Sequence, residues 1–166
     1  ADAGQAPHGP DGPLYPGTCR SLDAASRDQE MVAGKPFVLR LDTVQATEAA
    51  GRLTWVDRDQ GTVDAEPEVF GDVVLARKDT PTSYHLAVTL DDHLQGVTKV
   101  TRGEDLFAAT HVHRLLQALL ELDVPDYHHH RLLTDGAGKR FAKRDKAATI
   151  IDLRQAGKSP AEVRVL

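Results

Sequence analysis

Between residues 83 and 106 the chain reads S-Y-H-L-A-V-T-L-D-D-H-L-Q-G-V-T-K-V-T-R-G-E-D-L, and this stretch constrains the fold more than any other. Residues 83–90 alternate well enough for a strand, with Tyr84, Val88 and Thr89 as β-formers. Residues 97–101 read as a second, shorter strand. Asp91-Asp92 forms an acidic bend after the first, and Arg102-Gly103 follows the second. In an α/β sheet, ligands collect beyond the carboxyl ends of strands. An arginine there grips a carboxylate or phosphate through parallel N–H bonds, or pairs with Asp91, Asp92 or Asp105. Gly103 permits close approach of a ligand or of backbone.

The pattern Tyr84, Asp91-Asp92, Gly96-Val97-Thr98, Val100, Arg102-Gly103, Asp105-Leu106 and Thr110 resembles the second half of the catalytic domain of the glutamyl-tRNA synthetase family, and within it the short glutamyl-Q tRNA(Asp) synthetase type. The resemblance implies an α/β chain: the second half of a class I Rossmann-type nucleotide-binding fold with an inserted α+β domain. It implies four parts. Residues 1–20 end a zinc-binding insertion and residues 21–80 form the inserted acceptor-type domain. Residues 81–138 form the second half of the catalytic domain, and residues 139–166 carry a K-M-S-K-S-like loop and C-terminal helices.

Composition agrees with a folded chain. Of its 166 residues, 40% are hydrophobic and 27% charged, enough for one domain with a core. A net charge of -5 argues against a broadly basic nucleic-acid surface, and leaves room for a local basic patch. No apolar run approaches membrane-spanning length. The single cysteine excludes an internal disulfide and fits a reducing cytoplasm.

Residues 1–20 are rich in Gly, Pro and Asp and read as irregular. Tyr15 and Cys19 match the second half of the family's zinc pattern, whose C-x-C half is absent. Zinc normally takes four ligands, so Tyr15 and Cys19 form an incomplete set. Residues 22–33 read as a helix capped by Ser21 or Asp23 and stopped by Gly34. Residues 37–41 read as a strand, 43–50 as a short helix ending at Gly51, 53–56 and 62–63 as a hairpin, and 73–76 as a buried strand. Trp55 is expected in the core. Residues 105–122 form the clearest helix, with Val112, Leu115, Leu116, Leu119 and Leu120 at helical spacing. His111 and His113 are expected on its polar face, with His111 toward nucleotide. Residues 125–133 carry three adjacent histidines. Alternation lets only His128 and His130 cooperate, and without a further ligand the segment reads as a strand at the rim of the sheet.

Residues 134–146 form a turn followed by a basic cluster, Lys139, Arg140, Lys143, Arg144 and Lys146. Such a loop suits a triphosphate, or a plain solvated surface. The resemblance places Arg140, Phe141, Ala142, Lys143 and Arg144 at the K-M-S-K-S position, with Arg for the first Lys, Phe for the apolar residue and Ala for Ser. Asp145 is expected to cap a helix through Ala156. Ser159-Pro160-Ala161-Glu162 is a capping box.

The resemblance further implies activation of glutamate with ATP and Mg to glutamyl-adenylate, then transfer to queuosine in the tRNA(Asp) anticodon by a cytoplasmic enzyme, monomeric when intact. Tyr84 and Arg102 would bind glutamate and Lys143 the ATP phosphates, with no covalent nucleophile. The family's H-I-G-H and R-x-A-P-S-P-x-G segments are absent. The chain therefore reads as a C-terminal portion, inactive alone and with an exposed sheet edge. The early C-terminus favours the short type over a glutamyl-tRNA synthetase that charges the acceptor end. A non-catalytic remnant that binds tRNA or a partner remains the alternative of a different class.

Overall fold

The computed structural model describes residues 7–132, 134 and 149–164, which fall in two units that divide between His130 and Arg131. The first unit opens with β1 (His8–Gly9) and β2 (Gly12–Pro13), a small antiparallel pair. Helix α1 (Ala24–Val32) starts where the Asp23 carboxylate accepts the Ser26 N–H at 2.7 Å. It buries none of its residues, so local capping and not core packing defines it. Strand β3 (Val38–Leu41) leads into α2 (Thr43–Ala50), capped by Asp42 and closed by Gly51 at φ 71°. That left-handed conformation favours glycine.

A hairpin follows, β4 (Thr54–Asp57) and β5 (Gly61–Asp64), with paired residues from Thr54 opposite Asp64 to Asp57 opposite Gly61. Its turn is tied by Asp57, whose Oδ1 accepts the N–H groups of Asp59 at 2.9 Å and Gln60 at 3.1 Å. After a 3-10 turn (Pro67–Phe70) comes β6 (Val73–Arg77), antiparallel to β3. Helix α3 (Tyr84–Leu94), strand β7 (Lys99–Gly103), a second 3-10 turn (Glu104–Leu106), helix α4 (Ala109–Leu119) and strand β8 (Asp126–His130) complete the unit.

The main sheet has the order β5-β4-β8-β7. Strands β4 and β7 both run parallel to β8, and β5 is antiparallel at one edge. A parallel β7–α4–β8 passage is the unit that doubly wound folds repeat. Phe70, Val73, Ala109, Val112 and Leu116 form the core, with Leu41, Leu75, Leu106 and Ala108 packed against it. The second unit holds α5 (Ile150–Gln155) and α6 (Pro160–Arg164). Thr149 and Asp152 cap α5 reciprocally. Ser159 Oγ accepts the Glu162 N–H while Glu162 accepts the Ser159 N–H, as the capping-box spacing predicts. Asp145, the expected cap of α5, lies outside the described residues. Among the described residues no helix is long and apolar enough to cross a membrane.

Three expectations are corrected. Residues 83–90 are not a strand: they begin helix α3, whose Ser83 hydroxyl accepts the Leu86 N–H at 3.3 Å. Asp91 and Asp92 therefore lie in the helix and form no bend. The one buried residue of α3 is Thr89, and the half-buried ones mix polar His85, Asp92 and His93 with apolar Leu86, Ala87 and Val88, so a hydrophobic reading finds no clear helical period. Strand β8 is not at the rim: it pairs with β4 on one side and β7 on the other. The helix expected over 105–122 is split, a 3-10 turn preceding α4. Its chain reverses at Glu121, which takes φ 56°. The hairpin β4–β5 shares the main sheet with β7 and β8.

Candidate active site

Strand β7 delivers Arg102 and α4 delivers Thr110 and His113. Strand β8 delivers His129, β4 delivers Asp57 and α3 delivers Tyr84 and His85. All of these side chains except Tyr84 join one hydrogen-bonded chain, and Tyr84 adjoins it through ring contacts. Asp57 Oδ2 lies 2.8 Å from His129 Nδ1 and accepts the His129 backbone N–H at 3.1 Å. Arg102 Nε donates to His129 Nε2 at 3.1 Å, and Arg102 Nη2 donates to Thr110 Oγ1 at 2.6 Å. Arg102 Nη1 lies 3.3 Å from His113 Nδ1. His113 Nε2 lies 3.1 Å from His85 Nδ1, and His85 Nε2 lies 3.2 Å from Asp11 Oδ2. The Arg102 guanidinium also sits 5.3 Å from the Tyr127 ring centre, within cation–π range.

The protonation states follow from burial and neighbours. Burial pushes the Asp57 carboxyl up, but hydrogen bonds from His129 and from the backbone of Asp59, Gln60 and His129 outweigh it and hold the group below its usual range. Burial pushes His129 down and Arg102 adds to this, against the opposing pull of Asp57. The pair is thus an ionised carboxylate with a neutral imidazole, a charge-assisted hydrogen bond. His113 is pushed down from 6.5 to about 2, by burial first and then by Arg102, His85 and His129. Burial raises Asp92, with Arg102 opposing and Asp91 reinforcing.

Aromatic rings enclose this chain. Trp55, 2% exposed, contacts Phe107, His111, Tyr127 and His129 at centroid distances of 4.9, 5.8, 5.4 and 5.7 Å. Tyr127 stacks on His129 at 8° between planes. Tyr84 meets the edges of His85 and His113 and borders a cleft of about 450 Å³ whose walls include Tyr15, Arg40, Asp72, Arg77 and His85. Arg102 does not line this cleft: it connects to the cleft through His113, which meets Tyr84 and His85 on the cleft wall. The arrangement is a held cation suited to binding an anion.

The residues picked from sequence are distributed unevenly. Arg102 and Tyr84 are one residue apart in space, joined through His113. Arg102 sits among Thr110, His113 and His129, where sequence offered Asp91, Asp92 or Asp105 as partners. Tyr15 and Cys19 adjoin: the Cys19 N–H donates to Tyr15 Oη at 2.7 Å. Hydrogen bonds from Tyr15 and then Thr18 lower the Cys19 thiol. Among the described residues no group of three or more His, Cys, Asp and Glu converges to hold a metal, so these two side chains do not fit a tetrahedral zinc site. Lys143 and Arg140, Phe141, Ala142 and Arg144 lie outside the described residues.

Sequence reasoning missed Asp57, His85 and His129, and it misplaced His113. His113 is not on a polar face: it is 2% exposed. His111 is half-buried and accepts the Glu66 N–H at 3.2 Å. His128, which strand alternation places on one face with His130, pairs with Asp59 at 3.3 Å. The available signal was the alternation in β8, which turns Tyr127 and His129 inward together.

The catalytic-domain model of class I tRNA synthetases (E and Q) matches residues 5–164. A protein named glutamyl-Q tRNA(Asp) synthetase from Rhodobacter capsulatus is 50% identical over 165 residues, covering 97% of this chain and 58% of the relative. One of the same name from Nocardia farcinica is 44% identical, covering 99% of this chain and 50% of the relative. A crystal structure of a glutamate tRNA ligase from Elizabethkingia meningosepticum in complex with its amino acid superposes with TM-score 0.62 at 27% identity, covering 80% of this chain and 27% of that one. The chain thus spans about half the length of the curated relatives it matches. Its mixed α/β fold and its match along nearly the whole sequence have one reading: the chain belongs to the catalytic-domain family of the class I tRNA synthetases for glutamate and glutamine.

Proposed function

We propose that this chain is part of a glutamyl-Q tRNA(Asp) synthetase, a ligase that activates glutamate with ATP and transfers the glutamyl group to queuosine in the tRNA(Asp) anticodon. The likeness to the two relatives of that name carries the reading. In the first step a glutamate carboxylate oxygen attacks the α-phosphorus of ATP, the adenylate forms and pyrophosphate leaves. Catalysis of this kind is positioning and electrostatics. Arg102 fixes a glutamate carboxylate: its bonds to Thr110, His113 and His129 go to uncharged acceptors, so the guanidinium is oriented without being neutralised by them. Tyr84 supplies a hydroxyl at the edge of the cleft. Lys143, within the K-M-S-K-S-like residues 140–144, takes the ATP phosphates, and Mg bound with ATP shares that charge.

In this reading residues 81–138 carry the amino-acid site and residues 139–166 the phosphate loop. The structural likeness to a glutamate tRNA ligase favours one second reading, in which the acceptor end of tRNA receives the glutamate. The test is glutamate-dependent exchange of pyrophosphate into ATP, without tRNA, by the full-length protein. Exchange that is lost in Arg102→Ala and Lys143→Ala supports the reading. Absence of exchange with any amino acid, in a folded protein, overturns tRNA-independent activation. Labelled glutamate recovered on the anticodon half of cleaved tRNA(Asp), and not on its 3′ end, separates the two acceptors.

A further inference from the structure

The donors and acceptors around Arg102 permit one consistent assignment of the imidazole protons. Asp57 Oδ2, held as a carboxylate, can only accept, so His129 Nδ1 carries a proton and donates to it across 2.8 Å. In a neutral ring Nε2 is then bare, and it accepts from Arg102 Nε at 3.1 Å. Arginine has no acceptor, so the His113 Nδ1 that faces Arg102 Nη1 at 3.3 Å is bare too. His113 Nε2 therefore carries a proton and donates to His85 Nδ1 at 3.1 Å. His85 Nε2 in turn donates to Asp11 Oδ2 at 3.2 Å. Thr110, fully buried, accepts from Arg102 Nη2 at 2.6 Å, and its own hydroxyl proton has the bare His129 Nε2 at 3.1 Å and the Leu106 carbonyl at 3.5 Å as acceptors. Three of the five guanidinium N–H groups are thereby committed to two elements, α4 through Thr110 and His113 and β8 through His129. Three fixed points define a plane.

We propose that Thr110, His113 and His129, the last set by Asp57, are positioning residues that lock the plane of the Arg102 guanidinium and leave one N–H on each terminal nitrogen for the substrate carboxylate. The inference rests on the reading of Arg102 as the carboxylate-binding residue. It goes further by naming what prepares that residue. A flexible arginine would lose rotamer freedom on binding, and one that is held in place beforehand does not. His129 also faces Trp55, Phe107 and Tyr127, and His113 faces Tyr84. Water is thus displaced from both imidazoles by rings that offer no competing acceptor along the plane.

Two measurements test it. Histidine ¹⁵N–¹H correlation spectra of the labelled protein read the tautomers directly. His129 is expected with its proton on Nδ1, and His85 and His113 with theirs on Nε2. The opposite tautomer at His129, or an imidazolium at either His113 or His129 near neutral pH, overturns the arrangement whatever Arg102 does. Pyrophosphate exchange by the full-length protein then reads function. Thr110→Val and His113→Leu each remove one acceptor of roughly one hydrogen bond's worth. Each is expected to raise the glutamate KM about tenfold while leaving the ATP KM unchanged. Thr110→Ser and His113→Gln restore an acceptor and are expected to recover most of that loss. A merely structural role would move both KM values together, in step with the melting temperature. If Arg102→Ala abolishes exchange while Thr110→Val and His113→Leu leave the glutamate KM unchanged, the positioning proposal fails and the Arg102 assignment stands. If Arg102→Ala itself leaves exchange unchanged, the assignment fails and the proposal with it.

Discussion

Asp57→Ala should be the most damaging single substitution in the sheet for its size. Asp57 is 1% exposed, and its two oxygens accept four hydrogen bonds. Two come from the turn, Asp59 N–H at 2.9 Å and Gln60 N–H at 3.1 Å. The other two come from His129, its backbone N–H at 3.1 Å and its Nδ1 at 2.8 Å. The turn donors lie beside the exposed residues 58–61, so water can replace the lost acceptor at small cost. The His129 donors lie among Trp55, Tyr127 and Phe107, where water has little access. Each buried donor left without an acceptor costs about 1–3 kcal/mol, so the loss should be about 2–6 kcal/mol. Small domains have about 5–15 kcal/mol in total, so a large part of the stability is at stake. Asp57→Asn keeps one acceptor oxygen and should lose about half as much. Urea unfolding followed by Trp55 fluorescence measures both: the midpoint should fall with the slope unchanged. A loss under about 1 kcal/mol in Asp57→Ala would show that His129 finds another acceptor, and the reasoning about its burial would be wrong.

The pH dependence of stability carries a sign set by His113. Its folded value, about 2 against an ordinary 6.5, lies below the unfolded one, so the unfolded chain binds the extra proton. Stability is full above about pH 6.5 and should fall as pH drops below it, by about 1.4 kcal/mol per pH unit for this one group; unfolding free energies between pH 5 and 8 check this. His113→Gln, which cannot take up the proton, should flatten the profile in the same titration. Leu115 is fully buried in α4, and Leu115→Ala should cost about 2–5 kcal/mol through its lost packing and the cavity left behind, read from the shift of the urea midpoint. Gly61→Ala puts a side chain at φ 74° in the β4–β5 turn and should cost about 1–2 kcal/mol, measured the same way.

Local signals in the sequence marked most elements because the features that define them are local. Asp23 and Asp42 cap their helices, Gly34 and Gly51 end them, and the Asp57–Gly61 turn joins a hairpin, each as spacing and residue type predict. Strand β7 and the box at Ser159 follow the same logic. The failures share a cause. Helix α3 buries Thr89, half-buries polar His85 and Asp92 along with apolar Leu86 and Val88, and leaves Tyr84, Leu90 and Leu94 exposed. A reading that equates apolar with inward therefore finds no clear helical period. Nothing local distinguishes a central strand from an edge one when the strand is D-Y-H-H-H. Its place between β4 and β7 depends on pairings with residues 70 and 27 positions away.

The same mixing of polar and apolar explains why the site was half legible. Arg102 and Tyr84 could be picked out because their neighbours form a recognisable motif. Asp57, His113 and His129 could not, because each looks ordinary in its own segment: a turn aspartate, a helix histidine, one of three adjacent histidines. What makes them matter is that a half-buried arginine needs acceptors, and acceptors in a dry place must themselves be held. A neutral histidine serves only if its other nitrogen has a partner that fixes the tautomer. Asp57 does this for His129, and His85 with Asp11 does it for His113. The polar residues of this core are thus coupled in order, and the loss of any one changes which protons its neighbours can offer. Asp57→Asn shows the consequence. The amide oxygen turned toward the His129 backbone N–H still accepts it, but as a neutral acceptor it holds the Nδ1 proton less firmly than a carboxylate. A ring proton on Nε2 would set two donors, His129 and Arg102, against each other across 3.1 Å. The arginine would then have to turn out of plane, although nothing that touches it had been replaced.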